Sequence, residues 1–195
     1  KTTNSADLIL SIDEELINVP WELLFDGANF LCLNFNLGRV VRTKEQANII
    51  RYRSCQDKLK MMILANPTND LDSSYQEGVA IKNQFDRRLS SVRIDFKSTS
   101  IDRLYVKKNL RDYDIIHYAG HCEHSPDNPR NCGWVLSDGK FGVPDILALG
   151  TDESLPSLVF SNACYSAKAQ VSLIGADYQE NNFCLAQAFL FSGVR

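Results

Sequence analysis

The sequence predicts an α/β fold built on a mostly parallel sheet. Four short apolar runs typical of buried strands follow one another from residue 58 onward, and segments with helical spacing of apolar residues separate the first three of them. Strands that alternate with helices along a chain form parallel sheets. A chain of 195 residues, of which 44% are hydrophobic, can bury one sizeable core, so we expect a single main domain.

The main domain is expected over residues 58–195. Its predicted elements, in chain order, are strand 60–65, helix 75–89, strand 92–96, helix 101–110, strand 115–119, strand 158–163 and a helix around residues 183–190. Between the last two strands, Asp138-Gly139 lies between apolar residues, a pattern typical of a β-hairpin. The chain stops where a further strand is expected, so we interpret this domain as truncated before its last strands.

Residues 1–57 are predicted to form a small N-terminal α+β annex. An apolar stretch at residues 8–12 and strand-like runs at 30–35 and 39–42 precede a helix-like stretch that reaches Ile50.

Composition excludes several classes of function. The formal net charge of −3 provides no basic surface, which argues against direct binding of nucleic acid. No apolar run approaches the ~18 residues of a membrane span, and the N-terminus lacks a signal-peptide pattern. We therefore expect no membrane association and a cytoplasmic location, where the six cysteines are more typical of reduced thiols than of disulfides.

Two apolar runs end in residues that suit a thiol nucleophile and its base. Residues 115–120 lead to His121 and residues 158–163 lead to Cys164, 43 positions later, which leaves room for one crossover between parallel strands. Neighbouring parallel strands lie about 4.8 Å apart, and their carboxyl ends meet at one edge of the sheet. The sequence therefore predicts that Cys164 acts as a nucleophile with His121 as its general base.

A zinc site is the main alternative, because His117, His121, Cys122, His124 and Cys132 lie within sixteen residues and supply ligands that zinc prefers. In a strand, however, the first two histidines would be about 13 Å apart, and zinc would leave the later cysteine unexplained. We therefore predict no metal and no other cofactor, and interpret the first histidine as a hydrogen-bonded core residue. A catalytically inactive signalling scaffold is the other alternative.

Five short motifs, in a fixed order, carry a resemblance to a known family. They are Pro20-Trp-Glu-Leu-Leu24, His117-Tyr-Ala-Gly-His121, Gly133-Trp-Val-Leu-Ser-Asp-Gly139, Ser161-Asn-Ala-Cys-Tyr165 and Leu185-Ala-Gln-Ala-Phe-Leu190. In this combination the chain resembles the CHAT domain, a family grouped with caspases and separase among the caspase-fold cysteine peptidases. The resemblance implies a caspase-like three-layer α/β/α fold and an endopeptidase with a Cys-His dyad formed by Cys164 and His121.

The resemblance also implies the remaining parts of the site. The family usually has glycine directly after its catalytic histidine, where this chain has Cys122. The backbone N–H groups of Cys122 and Cys164 are the expected oxyanion hole. Asp70 and Asp72 follow the first strand of the sheet and are candidates for a substrate pocket that selects a basic residue before the cleaved bond, as in separase-like relatives. The alternative is that they are ordinary turn-forming or helix-capping aspartates.

The expected partners follow from the resemblance alone. CHAT domains usually follow helical repeats and act in bacterial defence or cell-death pathways, so we expect a protein substrate and a regulatory protein partner. One similar class is the tetratricopeptide-repeat CHAT protease that is activated by the RNA-guided effector complex of a type III-E CRISPR system.

Overall fold

A computed structural model describes residues 6–13, 16, 19–42, 58–88, 91–125, 131–149, 154–164 and 185–194. The chain divides into two compact units, Lys1–Gln46 and Ala47–Arg195. Residues 43–57 lie outside the described residues. The domain boundary that the sequence predicts after residue 57 and the predicted helix-like stretch that reaches Ile50 both fall on this segment.

The first unit contains a two-stranded parallel sheet. Strand β1 (Ala6–Asp13) pairs with strand β2 (Phe35–Arg42) along its full length. A 3-10 helix (Trp21–Leu23) and a four-residue helix α1 (Leu31–Asn34) lie between them. The strand predicted at residues 30–35 is therefore wrong. Because β1 and β2 are parallel, the connecting chain must return to the start of the sheet, and its apolar residues form helical turns there.

The second unit is built on a four-stranded parallel sheet, as the sequence predicts. Its strands are β3 (Leu59–Ala65), β4 (Val92–Lys97), β5 (Ile115–Ala119) and β9 (Leu158–Asn162), in the order β4-β3-β5-β9. One row of side chains crosses the sheet from Phe96 through Ile63 and His117 to Phe160. Helix α2 (Asp72–Arg88) covers the face to which this row belongs, where Ile81 and Phe85 pack against β3.

The opposite face of the sheet holds the main core. Helices α3 (Arg103–Asn109), α4 (Val143–Leu149) and α5 (Leu185–Phe191) contribute buried apolar residues to it. The fold is thus a mixed α/β/α arrangement around a mostly parallel sheet, which confirms the predicted fold class and is compatible with a caspase-like fold. Among the helices in the described ranges, none has both the length and the apolar composition that a membrane crossing requires.

A small antiparallel sheet connects β5 to α4. It consists of β6 (Cys122–Glu123), β7 (Gly133–Leu136) and β8 (Gly139–Gly142). The turn at Asp138 joins β7 to β8, and Gly139 adopts a φ of 133°, so the predicted hairpin is confirmed. Trp134 of β7 is fully buried and stacks on Tyr118 of β5 with ring centroids 4.5 Å apart. The hairpin is therefore anchored in the main core.

Candidate active site

The carboxyl edge of the sheet brings together the segments that carry the two candidate catalytic residues. The last residues of β5 and β9, Ala119 and Asn162, pair with each other. His121 and Cys164 each follow their strand by two residues. The Gly120 N–H donates to the Asn162 carbonyl at 3.4 Å, which extends the contact one residue past the strand. The two segments thus leave the sheet side by side, and both candidate side chains are exposed.

The imidazole of His121 contacts a carboxylate from the loop after β3. Its Nε2 atom lies 3.1 Å from Oδ2 of Asp70. The Thr68 hydroxyl donates to the other carboxylate oxygen. These two hydrogen bonds, first from Thr68 and then from His121, lower the pKa of the Asp70 carboxyl below its ordinary value. A contact at Nε2 fixes the direction in which the ring presents Nδ1.

Asn66 shapes the loop that carries Asp70. It is buried, directly follows β3 and has a φ of 53°, a conformation that asparagine tolerates better than most residues. Its side-chain oxygen accepts from the N–H groups of Asp70 and Leu71 at 3.0 and 2.9 Å, and its own N–H donates to the Ala119 carbonyl at 2.8 Å. Sequence reasoning missed this role, although an asparagine at the end of a buried strand is the signal for such a turn.

The backbone of His121 is held from the hairpin side. The Tyr118 hydroxyl lies 2.6 Å from the His121 carbonyl and 3.0 Å from the Val135 carbonyl, and the Val135 N–H donates to the same His121 carbonyl at 2.9 Å. Burial raises the pKa of Tyr118 far above its ordinary value, so this hydroxyl stays protonated and acts as a donor. A tyrosine inside a buried strand must find such partners, and this signal was also missed.

The two expected oxyanion-hole residues differ in their surroundings. Cys122 is buried in the main core and pairs with Trp134, whereas Cys164 is exposed. Opposing residues of an antiparallel pair alternate between hydrogen-bonded and non-hydrogen-bonded pairs. The Val135 N–H donates to the His121 carbonyl, so the next pair, Cys122 with Trp134, exchanges no backbone hydrogen bond. The Cys122 N–H therefore points away from β7.

Strand β9 is held by a side chain on each of its faces just before Cys164. On the core face, the Trp134 indole N–H donates to the Ser161 hydroxyl at 2.8 Å. On the α2 face, the Asn162 amide donates to Oε2 of Glu77 at 2.6 Å. The strand that leads to the candidate nucleophile is thus attached to both neighbouring layers.

The three histidines of the alternative zinc-site hypothesis each contact a different residue: Glu77, Asp70 and Cys132. His117 is buried and its Nε2 lies 2.8 Å from Oε1 of Glu77, in agreement with the expected hydrogen-bonded core residue. His124 Nδ1 lies 3.2 Å from Cys132 Sγ, and burial raises the pKa of the Cys132 thiol. Within the part of the chain that the structure describes, no three histidine, cysteine, aspartate or glutamate residues are grouped closely enough to hold a metal ion.

The remaining candidate, Asp72, is the exposed first residue of α2. It lies two positions from Asp70, at the same carboxyl edge of the sheet. Both aspartates of the expected substrate pocket thus follow the carboxyl end of β3, the strand next to β5 in the sheet.

Comparison with known proteins gives a family. A search of curated protein sequences finds no match. The model of the CHAT domain family matches residues 1–195, which is the full length of the sequence. CHAT is a family of caspase-like proteases, which supports a general peptidase function and agrees with the mixed α/β fold. The chain therefore belongs to the CHAT domain family.

Proposed function

We propose that the protein is a cysteine endopeptidase whose nucleophile is Cys164 and whose general base is His121. One observation carries the proposal: each residue follows, by two positions, one of two paired ends of neighbouring parallel strands. The carboxyl ends of parallel strands are where α/β folds place their sites. Both side chains are exposed there, so a substrate can reach them.

In the proposed mechanism, His121 takes the thiol proton and the Cys164 sulfur attacks the scissile carbonyl carbon. The backbone N–H groups of Cys164 and Cys122 stabilise the oxyanion that forms. The imidazolium then protonates the leaving amine as the C–N bond breaks, which leaves a thioester on the sulfur. A water molecule, deprotonated by the same imidazole, hydrolyses the thioester and regenerates the thiol.

Asp70 orients the imidazole in this proposal. Its contact with Nε2 leaves Nδ1 as the nitrogen that serves the sulfur. Its other oxygen already accepts from Thr68, so this carboxylate has fewer oxygen lone pairs to offer a substrate. Asp72 is exposed, and we propose that it, together with Asp70, selects a basic residue before the cleaved bond. The two roles differ kinetically: loss of orientation lowers kcat for every substrate, and loss of selection raises KM for basic substrates only.

Activation by a protein partner is part of the proposal, with a function in bacterial defence or cell death. Caspase-like sites depend on the geometry of loops at the sheet edge, and a partner that binds one state of such loops shifts their population. An RNA-guided effector complex is the partner class suggested by the resemblance. Turnover of extended peptides, measured with and without such a complex, tests this part.

The nucleophile and the base are tested by Cys164→Ala and His121→Ala, with Cys32→Ala as the matched control at another exposed cysteine. A library of extended fluorogenic peptides, assayed with and without the candidate effector complex, provides the readout. Each site variant should lose about 1,000-fold or more of kcat/KM, and the control should retain the wild-type value. A Cys164→Ala protein that cleaves at the wild-type rate would contradict the nucleophile assignment.

A further inference from the structure

A polar network on the α2 face of the sheet connects the two strands that lead to the proposed dyad. It consists of Glu77, His117 and Asn162, which we call the Glu77 network. The two carboxylate oxygens of Glu77 divide their contacts between the strands: Oε1 lies 2.8 Å from His117 Nε2 on β5, and Oε2 accepts from Asn162 Nδ2 at 2.6 Å on β9. One helix residue thus bridges positions 40 and 85 residues away in sequence.

We infer that the Glu77 network positions the sulfur of Cys164 relative to His121. Asn162 is the last residue of β9 and precedes Cys164 by two positions. His117 lies in β5, four positions before His121. A bridge between these strands fixes how their ends lie against each other, and this inference rests on the proposed function.

The surroundings of β9 explain why such a bridge is needed. The side chains of this strand on the α2 face are exposed, with Phe160 at 53% and Leu158 at 38%. Apolar packing therefore contributes little to holding this face in place. The Glu77 side chain is 30% exposed and that of His117 is 10% exposed, so their contact is partly shielded from water, which strengthens it. Charge-assisted hydrogen bonds of this kind are strong and directional.

The network predicts a specific rescue. Asn162→Asp replaces the donor by a carboxylate that faces the carboxylate of Glu77, so the bridge breaks. In the double variant Glu77→Gln/Asn162→Asp, the new glutamine amide donates to the new aspartate, and its oxygen still accepts from His117. The hydrogen bond is restored with its direction reversed. Asp86→Asn on the same helix is the control, because it removes a carboxylate whose ion pair with Lys82 lies outside the network.

The experiment measures how fast iodoacetamide alkylates Cys164, by peptide mapping, with the exposed Cys32 of the same molecule as internal reference. Turnover of the fluorogenic peptide library gives kcat and KM, and thermal unfolding shows whether each variant is folded. Asn162→Asp should slow alkylation of Cys164 and lower kcat by about tenfold or more without a matching rise in KM. The double variant should recover both values to within about threefold of the wild type.

Two results would overturn the inference. The first is an Asn162→Asp protein that matches the wild type, and the second is a folded double variant that stays as slow as the single one. Failure of the proposed function looks different. In that case wild-type Cys164 reacts no faster than Cys32, or the Cys164→Ala variant keeps its activity, and the inference falls with it.

Discussion

Strands β3 and β9 lie in the same parallel sheet, yet their surroundings differ strongly. Ile63 of β3 and Phe160 of β9 belong to one row of side chains, with His117 of β5 between them. Ile63 is fully buried, whereas Phe160 is 53% exposed. Both segments have the apolar pattern of a buried strand, so the difference in exposure arises from their positions in the sheet. Strand β3 has a strand on each side and is covered on both faces.

The difference separates the part of the sheet that stabilises the fold from the part that carries the proposed nucleophile. Val159 of β9 and Ala163, the residue directly after the strand, pack against the main core. The other face of β9 is exposed and depends on polar contacts. Regions with few buried apolar contacts open locally at a lower free energy than the core. We therefore expect substitutions in β3 to act on stability and substitutions at the end of β9 to act on reactivity.

The largest expected effect separates the two strands directly. Ile63→Ala should lower the free energy of unfolding by about 2–5 kcal/mol, since it removes buried methyl and methylene groups and leaves a cavity. Phe160→Ala, in the same row, should lower it by about 1 kcal/mol or less because half of the ring is already exposed. Urea unfolding of both variants provides the measurement. Equal losses in the two variants would contradict the comparison.

A second prediction concerns the contact between α2 and β3. A Cβ atom at Gly78 would lie 2.8 Å from the Cβ of Ala65 and 2.7 Å from Cε2 of Phe96. Overpacking of this kind costs about 1–3 kcal/mol, whereas alanine gains about 1 kcal/mol over glycine in helix propensity. Gly78→Ala should therefore destabilise the protein by about 1 kcal/mol, measured by urea unfolding.

The control for this prediction is Gln84→Ala at an exposed position of the same helix, which should change stability by less than about 0.5 kcal/mol. Gly78→Ala also displaces the residue next to Glu77, so it should slow alkylation of Cys164 as well. A Gly78→Ala protein more stable than the wild type would show that α2 can move away from β3 without loss of packing.

The contrast between the strands also explains what the sequence could predict of the fold. Strands β3, β4, β5 and β9 and the hairpin follow from local patterns: apolar runs, turn residues and length. The strand expected at residues 30–35 failed because an apolar run does not determine its own backbone conformation. There, the connection between the parallel strands β1 and β2 forms helical turns. The exposure of β9 could not be predicted from its sequence either, because it depends on which other elements cover the strand.

Of the candidate site, only the residues that directly follow strand ends could be predicted from the sequence. The register of β5 and β9 agrees with the expectation that the segments carrying His121 and Cys164 lie side by side. The contacts around them join residues that are distant in sequence, such as Glu77 and Asn162, 85 positions apart. No local pattern predicts such pairs. Asp70, a candidate for the substrate pocket, also contacts His121, because the turn at Asn66 directs the loop toward β5, and sequence reasoning did not predict this contact.

The smallest expected effect concerns the loop between β3 and α2. Asp70 of this loop contacts His121, so the loop connects the buried strand β3 to the exposed histidine. The hydroxyl of Thr68 and the imidazole of His121 hold the pKa of Asp70 below its ordinary value. A carboxyl whose folded pKa is lowered stabilises the protein above its unfolded pKa, near 3.9, and loses this contribution as pH falls through the folded pKa. The difference in Tm between the wild type and Asp70→Asn should therefore shrink as the pH falls below about 4.

The difference should be small, because both partners of the Asp70 contact are exposed and such pairs are screened by water. Thr68→Val provides the matched test, since the Thr68 hydroxyl has the largest influence on this pKa. In that background the folded pKa lies closer to the unfolded one, so the stabilisation lost on Asp70→Asn should be smaller and should disappear at a higher pH. Thermal unfolding of the four proteins from neutral to acidic pH measures this. A Tm difference that persists unchanged well below pH 4 would mean that Asp70 acts through packing, and that β3 supports His121 by the shape of the loop instead of by its charge.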